Sequence, residues 1–77
     1  MHIKIKSLIG VEKQIEIEEK ATVLSLKQQI EMLETIPPEQ QRLIYSGKIL
    51  TDDGKILSDY NVNDGCVVQM VLALRGG

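Results

Sequence analysis

The sequence predicts an α+β fold in which a single helix packs against a mixed β-sheet. Two segments with alternating apolar and polar residues open the chain, at residues 1–6 and 14–18. A helical pattern begins at Val23, and further strand patterns come after the two prolines at 37–38. One helix between an opening hairpin and later strands favours a roll in which the sheet covers one face of the helix.

The first two strands are predicted to form an antiparallel hairpin. Met1, Ile3 and Ile5 occupy one phase of the first segment and polar side chains occupy the other, which is typical of a half-buried strand. Gly10 offers a turn, and the short connection that begins at Ser7 makes antiparallel pairing the natural arrangement.

The helix is expected to begin at Val23 and to end by residues 34–35. Thr22 is a plausible N-cap because its hydroxyl can accept from a free backbone N–H, and apolar residues recur at helical spacing as far as Ile30. Pro37 disfavours a helical conformation in the residue before it, and neither of the two prolines can donate a backbone hydrogen bond.

The second half of the chain is predicted to form short strands and turns. Gly65 is free to take the positive φ that a turn before the last strand requires. The predicted elements are a strand at Gln41–Tyr45, turns at 46–47 and 52–54, one helical turn at Leu57–Tyr60, and a last strand at 66–72.

Composition narrows the class of function. Cys66 is the only cysteine, so no disulfide can form within the chain, and an intracellular protein is expected. The net charge of −2 comes from interspersed acidic and basic residues, which predicts neither nucleic acid nor membrane as a partner. No apolar run approaches membrane-spanning length, and no signal peptide is expected. Protein partners are the default expectation.

Catalysis by the chain itself is not expected. The only histidine is His2, on the polar phase of its strand, and Cys66 precedes two valines where a small, partly buried hydrophobe is the usual role of a free cysteine. A metal site would need more Cys or His ligands than the chain has. The carboxylates at turns and on polar phases are interpreted as solvated charge, so no cofactor is predicted.

The last strand is apolar on both of its phases. Val67 and Val71 flank Gln69 on the phase opposite the predicted core, so at least one apolar side chain is expected to face water beside Ile44, and Leu8 could join them. Scattered apolar residues are normal on protein surfaces. A contiguous patch would instead indicate a docking surface, and the pattern by itself leaves both interpretations open.

The tail at residues 72–77 ends in Gly76 and Gly77, which have no side chains. Such an end could be simple fraying or a cloning scar. The functional alternative is a thin, extensible terminus that enters a narrow enzyme channel and reacts through its carboxylate.

Essentially the whole chain resembles ubiquitin and its relatives. The alignment needs a single extra residue near Asp52 and Asp53. The matching blocks are Met1-x-Ile3, Lys27, Ile36-Pro37-Pro38, Gln40-Gln41-Arg42-Leu43-Ile44, Gly47-Lys48, Leu57-Ser58-Asp59-Tyr60-Asn61 and Leu74-Arg75-Gly76-Gly77. The resemblance implies a ubiquitin-like β-grasp roll, with a domain at residues 1–72 and a flexible conjugation tail at 73–77.

Within this family the chain looks most like the Rub/Nedd branch. Ubiquitin has arginine where this chain has Ala73, and the Rub/Nedd modifier has alanine there. Further residues of that branch are Lys4, Glu12, Glu31, Tyr45 and Ser46, whereas residues 57–61 look more like ubiquitin. The alternatives are a divergent ubiquitin and a non-covalent ubiquitin-like interaction domain.

The resemblance implies that the chain is a substrate of enzymes and not an enzyme. An activating enzyme would use ATP and magnesium to adenylate the Gly77 carboxylate and would then hold it as a thioester. Conjugating and ligase enzymes would pass it to target lysines, chiefly on cullins, and proteases would later remove it. A monomer in the cytoplasm and nucleus is the corresponding expectation.

Particular residues take on roles through the same resemblance. Lys48 could accept a further modifier. Thr35 stands where the family has a glycine suited to the left-handed conformation, so the backbone at Thr35 should be strained. Glu19 and Lys13 also depart from the family and are expected to loosen the hairpin. The resemblance implies a hydrophobic patch of Leu8, Ile44, Gln69 and Val71, in which Gln69 stands where the family usually has histidine. It implies a second patch of Ile36, Leu72 and Leu74. Contacts with the activating enzyme are implied at Ala73, Arg75 and Arg42, and conjugation at Gly76 and Gly77.

Overall fold

The computed structural model describes residues 1–7 and 9–73. Its helix is 12 residues long, and no helix in this part of the chain has the length and apolar character to cross a bilayer. The elements are β1 (His2–Lys6), β2 (Glu12–Glu16), α1 (Val23–Glu34), β3 (Gln41–Tyr45), β4 (Lys48–Ile49) and β5 (Val67–Leu72), with short 3₁₀ turns at Pro38–Gln40 and Leu57–Tyr60.

The strands form one five-stranded sheet in the order β2-β1-β5-β3-β4. β1 and β5 pair in parallel at its centre, and every other pairing is antiparallel. The predicted mixed sheet and the β-grasp roll are therefore confirmed. β5, the last strand, lies between the first and the third, so the two halves of the chain are joined by hydrogen bonds across the sheet.

The helix begins and ends where the sequence predicts. The Thr22 Oγ1 accepts from the Ser25 N–H at 3.1 Å, which caps the N-terminus. Thr35 ends the helix in the left-handed conformation, at φ 57°, with its N–H donated to the Glu31 carbonyl. This conformation is unfavourable for a β-branched residue, so the predicted strain at Thr35 is present.

β2 is shifted from its predicted bounds, and a further strand, β4, was not predicted. The tight turn at Gly10 places Glu12 opposite Lys6, so β2 begins earlier than the apolar alternation indicates. The short β4 was not predicted at all. Ser46 and Gly47 both have positive φ, at 54° and 79°, which is the geometry of a tight hairpin turn that sends the chain back along β3.

The core lies between the inner face of the sheet and α1. Lys13 falls on the inner phase of β2, opposite Ile5, yet it does not open the hairpin, because its ammonium reaches Glu34 on the helix at 3.0 Å. The buried apolar side chains are Ile3, Ile5, Ile15, Ile17, Val23, Leu26, Ile30, Leu43, Leu50, Leu57, Val62, Val68 and Met70.

Candidate functional site

The outer face of the sheet, which points away from the helix, carries the predicted hydrophobic patch. In the ladder between β3 and β5, Ile44 lies opposite Gln69 and Arg42 lies opposite Val71. The intervening residues Leu43 and Met70 are buried on the inner face, so these four side chains share the outer one. Leu8, the fourth predicted member of the patch, lies outside the described residues.

The patch extends further than the sequence indicated. Ile49 on β4 lies opposite Ile44 on the outer face and is 44% exposed. Val67 on β5 lies two residues before Gln69 and is 43% exposed. Ile49 was missed because β4 was missed, and the turn at 46–47 followed by an apolar residue is the signal that could have found it. Ile44 is half-buried and lies directly opposite Ile49, and Gln69 lies between Val67 and Val71 on β5, so the outer face carries apolar side chains on three strands.

Basic residues border this apolar surface. Lys4 lies opposite Val67, Lys6 lies opposite Gln69, and Arg42 lies opposite Val71, so each outward residue of β5 has a cation beside it. All three basic side chains are exposed. A surface of this kind can bury aliphatic side chains of a protein partner at its centre and pair with carboxylates at its rim.

The second predicted patch forms one wall of a groove. Ile36 and Leu72 line a groove of about 450 Å³ together with Ile9 and Val11, and the Lys13–Glu34 ion pair lies at its edge. Leu72 is 46% exposed, although Met70 two residues earlier is buried, because the core ends before the strand does. Leu74 lies outside the described residues.

Two side-chain anchors hold the segment between α1 and β3. The buried Gln41 amide donates to the carbonyl oxygens of Lys27 at 2.8 Å and Ile36 at 2.9 Å, which fixes Ile36 against the end of the helix. The buried Lys27 ammonium in turn donates to Asp53 Oδ1 at 2.8 Å. These contacts position the second patch relative to the sheet.

β5 ends at Leu72, and Ala73 follows it beside Arg42. Ala73 donates its N–H to the Gln40 carbonyl at 2.7 Å. Its side chain and Arg42 line the same shallow hollow of about 200 Å³. The two described residues proposed to decide enzyme selectivity are thus brought together. Arg75, Gly76 and Gly77 lie outside the described residues, and the boundary between domain and tail stays a prediction.

Cys66 and His2 occupy separate local environments. The Cys66 thiol donates to the Tyr45 hydroxyl at 3.0 Å and accepts from the Asn63 N–H at 3.3 Å. Cys66 raises the pKa of Tyr45 above its ordinary value, through the hydrogen bond when the sulfur is the acceptor and through the negative charge of the ionised thiol. His2 Nε2 instead contacts Glu16 at 2.9 Å on the exposed face. Cys66 packs against the core as expected, and its contacts include no base that would activate it.

Metal chemistry finds no support in residues 1–7 and 9–73. No group of three or more His, Cys, Asp or Glu side chains there is arranged to hold an ion.

The exposed Lys48 lies at the tip of the hairpin between β3 and β4, where an acceptor lysine would be accessible.

A mixed β-grasp sheet over one helix, with an apolar outer face bordered by basic residues, defines a ubiquitin-like protein. The chain belongs to the ubiquitin family, because that family's profile matches residues 3–75. The family resemblance predicted from the sequence is therefore confirmed.

Its similarity to individual proteins is strongest within the Rub/Nedd branch. The chain is 47% identical over 77 residues to Ubiquitin-like protein NEDD8 of Dictyostelium discoideum, and the match covers 100% of this chain and 99% of that one. It is 42% identical to NEDD8-like protein RUB1 of Saccharomyces cerevisiae, with the same coverage. It is also 40% identical to AN1-type zinc finger protein 4 of Mus musculus, of which it covers only 10%. The chain is thus a ubiquitin-like protein most similar to modifiers of the Rub/Nedd type.

Proposed function

We propose that this chain is a covalent protein modifier of the Rub/Nedd type, joined through the Gly77 carboxylate to lysines of target proteins such as cullins. The observation that carries the proposal is the match to Rub/Nedd proteins along their whole length, together with Ala73 at the position that distinguishes this branch from ubiquitin.

The reaction needs no nucleophile from this chain. An activating enzyme with ATP and magnesium converts the Gly77 carboxylate to an acyl adenylate and releases pyrophosphate. A cysteine thiolate of that enzyme attacks the acyl carbon and releases AMP. Conjugating and ligase enzymes carry the thioester to a lysine amine, which forms the isopeptide bond and releases the thiol. Proteases later hydrolyse that bond.

Selectivity rests on the surface that Arg42 and Ala73 form together. Arg42 supplies a fixed cation that an acidic site on an activating enzyme can pair with. Ala73 beside it adds neither charge nor bulk, so an enzyme that excludes an arginine at this position can accept the chain. Arg75 is proposed as a further contact with the same enzyme.

The apolar surfaces serve recognition. The outer-face patch around Ile44, Gln69 and Val71 is proposed to bind enzymes and readers of the modified target, and Ile36 with Leu72 to form a second docking surface. Their exposed or half-buried state supports these roles. Lys48 is proposed as an acceptor for a further modifier. The chain is proposed to act as a monomer in the cytoplasm and nucleus.

A second candidate is a non-covalent interaction domain within a larger protein. The similarity to AN1-type zinc finger protein 4, which extends over only a small share of that protein, favours it. Such a domain would bind through the same outer face and would not use a free Gly77. A divergent ubiquitin is a third candidate, separated from the first by the preference of its activating enzyme.

The experiment is an activation assay with the chain ending at Gly77. The chain is incubated with ATP, magnesium and either the ubiquitin or the Rub/Nedd activating enzyme, and a thiol-sensitive adduct is measured by mass spectrometry. The proposal expects an adduct with the Rub/Nedd enzyme and none with a chain lacking Gly76 and Gly77. Adduct with the ubiquitin enzyme alone would favour the divergent ubiquitin, and no adduct with either would favour the interaction domain.

A further inference from the structure

A second groove runs on the opposite side of the molecule from the outer-face patch, between β2 and α1. β2 pairs only with β1 among the strands of the described sheet, so its other edge is open. The groove beside this edge encloses about 360 Å³ and is lined by Gln14, Ile15, Glu16, Gln29, Met32 and Leu33. The ion pair between Lys13 and Glu34 connects the same two elements at one end.

The hydrogen-bonding pattern between β1 and β2 determines which backbone N–H and C=O groups point outward from the open edge of β2. Met1 and Ile17 exchange two hydrogen bonds, at 2.6 and 2.8 Å, and the Ser7 N–H donates to Val11 at 2.9 Å. In an antiparallel pair these contacts alternate, so the odd-numbered residues of β2 bond to β1. The backbone N–H and C=O groups of Gln14 and Glu16 therefore point away from the sheet. They form a row that an added strand could pair with.

The inner side of the groove is apolar. Met32 is 84% exposed and Leu33 is 49% exposed on the helix, and the buried Ile15 forms the floor between them and the sheet. An extended segment paired with β2 would direct alternate side chains to this inner side. The groove therefore selects apolar side chains at every second position of its occupant.

The outer side of the same edge is acidic. Glu12 and Glu16 project on the outer phase of β2, opposite Lys6 and His2 of β1, and Glu18 follows the strand. Glu12 and Glu18 make no ion pair in the described part of the chain. Because cross-strand neighbours of opposite charge stabilise a sheet, an added strand gains from basic residues on this phase. A second copy of β2 would instead place acidic residues beside acidic ones.

From this register and charge pattern we infer that β2 and α1 form a binding site for an extended peptide segment of a partner protein, added as a sixth strand. Its apolar residues lie over Met32 and Leu33, and its alternate basic residues lie beside Glu12 and Glu16. The site is separate from the conjugation tail and from the outer-face patch, so one chain could hold both kinds of partner at once.

The test uses the full chain labelled with ¹⁵N and the capped peptide Gly-Lys-Ile-Lys-Val-Lys-Ile-Lys-Gly. We expect saturable amide shifts along β2 and at Met32 and Leu33, with little change at Ile44 and Gln69. Hydrogen exchange of the Gln14 and Glu16 amides should slow on binding, because these are the groups that gain partners. The same peptide with glutamate in place of lysine should bind at least about tenfold more weakly.

Variants of the helix give the matched comparison. Met32→Asp combined with Leu33→Asp should weaken binding of the lysine peptide by about tenfold or more, since both side chains lie over the proposed segment. Leu24→Asp changes an exposed leucine of the same helix outside the groove and should leave affinity unchanged. Circular dichroism verifies that each variant is folded.

Four results would overturn the inference. One is absence of binding by the lysine peptide, and another is equal binding by the paired Met32 and Leu33 variant and the Leu24 variant. The third is binding without slowed exchange at Gln14 and Glu16, which would place the peptide on a different surface. Sedimentation of the free chain as a β2-mediated dimer would likewise assign the edge to a second copy.

Discussion

Ala73 donates its backbone N–H to the carbonyl oxygen of Gln40 at 2.7 Å, which holds the residue after β5 against the residue before β3. The contact comes just beyond β5, and it holds Ala73 against the hollow that Arg42 also lines. The position that distinguishes the two branches of the family is therefore held by the folded domain.

Replacing Ala73 should change which activating enzyme accepts the chain. Ala73→Arg adds a cation beside Arg42, and we expect it to raise thioester formation with the ubiquitin activating enzyme and to lower it with the Rub/Nedd enzyme. Single-turnover thioester yield with each enzyme is the measurement. Gln28→Arg adds the same charge on the exposed side of α1 and should alter neither yield. Equal yields for the wild-type and Ala73→Arg chains would contradict this prediction.

Thr35→Gly should stabilise the fold. Thr35 ends α1 at φ 57°, which costs a side chain with a Cβ about 1–2 kcal/mol, and the greater freedom of glycine in the unfolded chain offsets part of the gain. We expect the free energy of unfolding in urea to rise by about 0.5–1 kcal/mol. Thr51→Gly is the control, because Thr51 has an ordinary negative φ and should lose stability. A loss at both positions would show that Thr35 is not strained.

Two ion pairs offer a comparison between a buried lysine and a partly exposed one. Lys27 donates to Asp53 at 2.8 Å from a buried position, whereas the Lys13 and Glu34 pair is partly exposed. Lys27→Met should lower the free energy of unfolding by about 1.5 kcal/mol, because it removes a charge-assisted hydrogen bond made by a lysine side chain that is only 11% exposed, while the 46% exposed Asp53 regains water. Lys13→Met should change it by less than about 1 kcal/mol. Similar losses in denaturant titrations of the two variants would refute the distinction.

The contact between Cys66 and Tyr45 should be visible in an alkaline titration. The hydrogen bond with Cys66 raises the pKa of Tyr45, so Cys66→Ala should lower that pKa. Tyr60→Phe leaves Tyr45 as the only tyrosine, and ultraviolet absorbance then follows its ionisation. The folded chain holds this proton more tightly than the unfolded one. Its contribution to stability is therefore present below the ordinary tyrosine pKa and is lost as the pH rises through the raised value. An unchanged Tyr45 pKa in Cys66→Ala would exclude the contact.

Local signals were sufficient for the helix and for β3. The Thr22 hydroxyl and the prolines at 37–38 act on backbone groups within a few residues of themselves, so the bounds of α1 follow from short-range chemistry. Apolar alternation predicts a β2 that begins too late, because it indicates which residues face the core but not which of them pair. β4 is only two residues long, too short for any alternation to show.

The candidate site was predicted in part for the same reason. Ile44, Gln69 and Val71 could be assigned to outward phases from their own strands, and the ladder between β3 and β5 brings them together. Ile49 required knowledge of the hairpin that places it opposite Ile44. The groove beside β2 was not predicted, because its walls come from a helix and a strand edge whose approach no local pattern encodes.

The amino-acid sequence by itself determined the fold class, the helix, the phase of each strand except β4, and the family to which the chain belongs. These depend on neighbouring residues or on similarity along the whole chain. Only the tertiary structure decided that β5 lies between β1 and β3, that Ala73 lies beside Arg42, and that Met32 faces an open strand edge. Such contacts join residues far apart in sequence, and they form only when burial of a shared core brings those residues together.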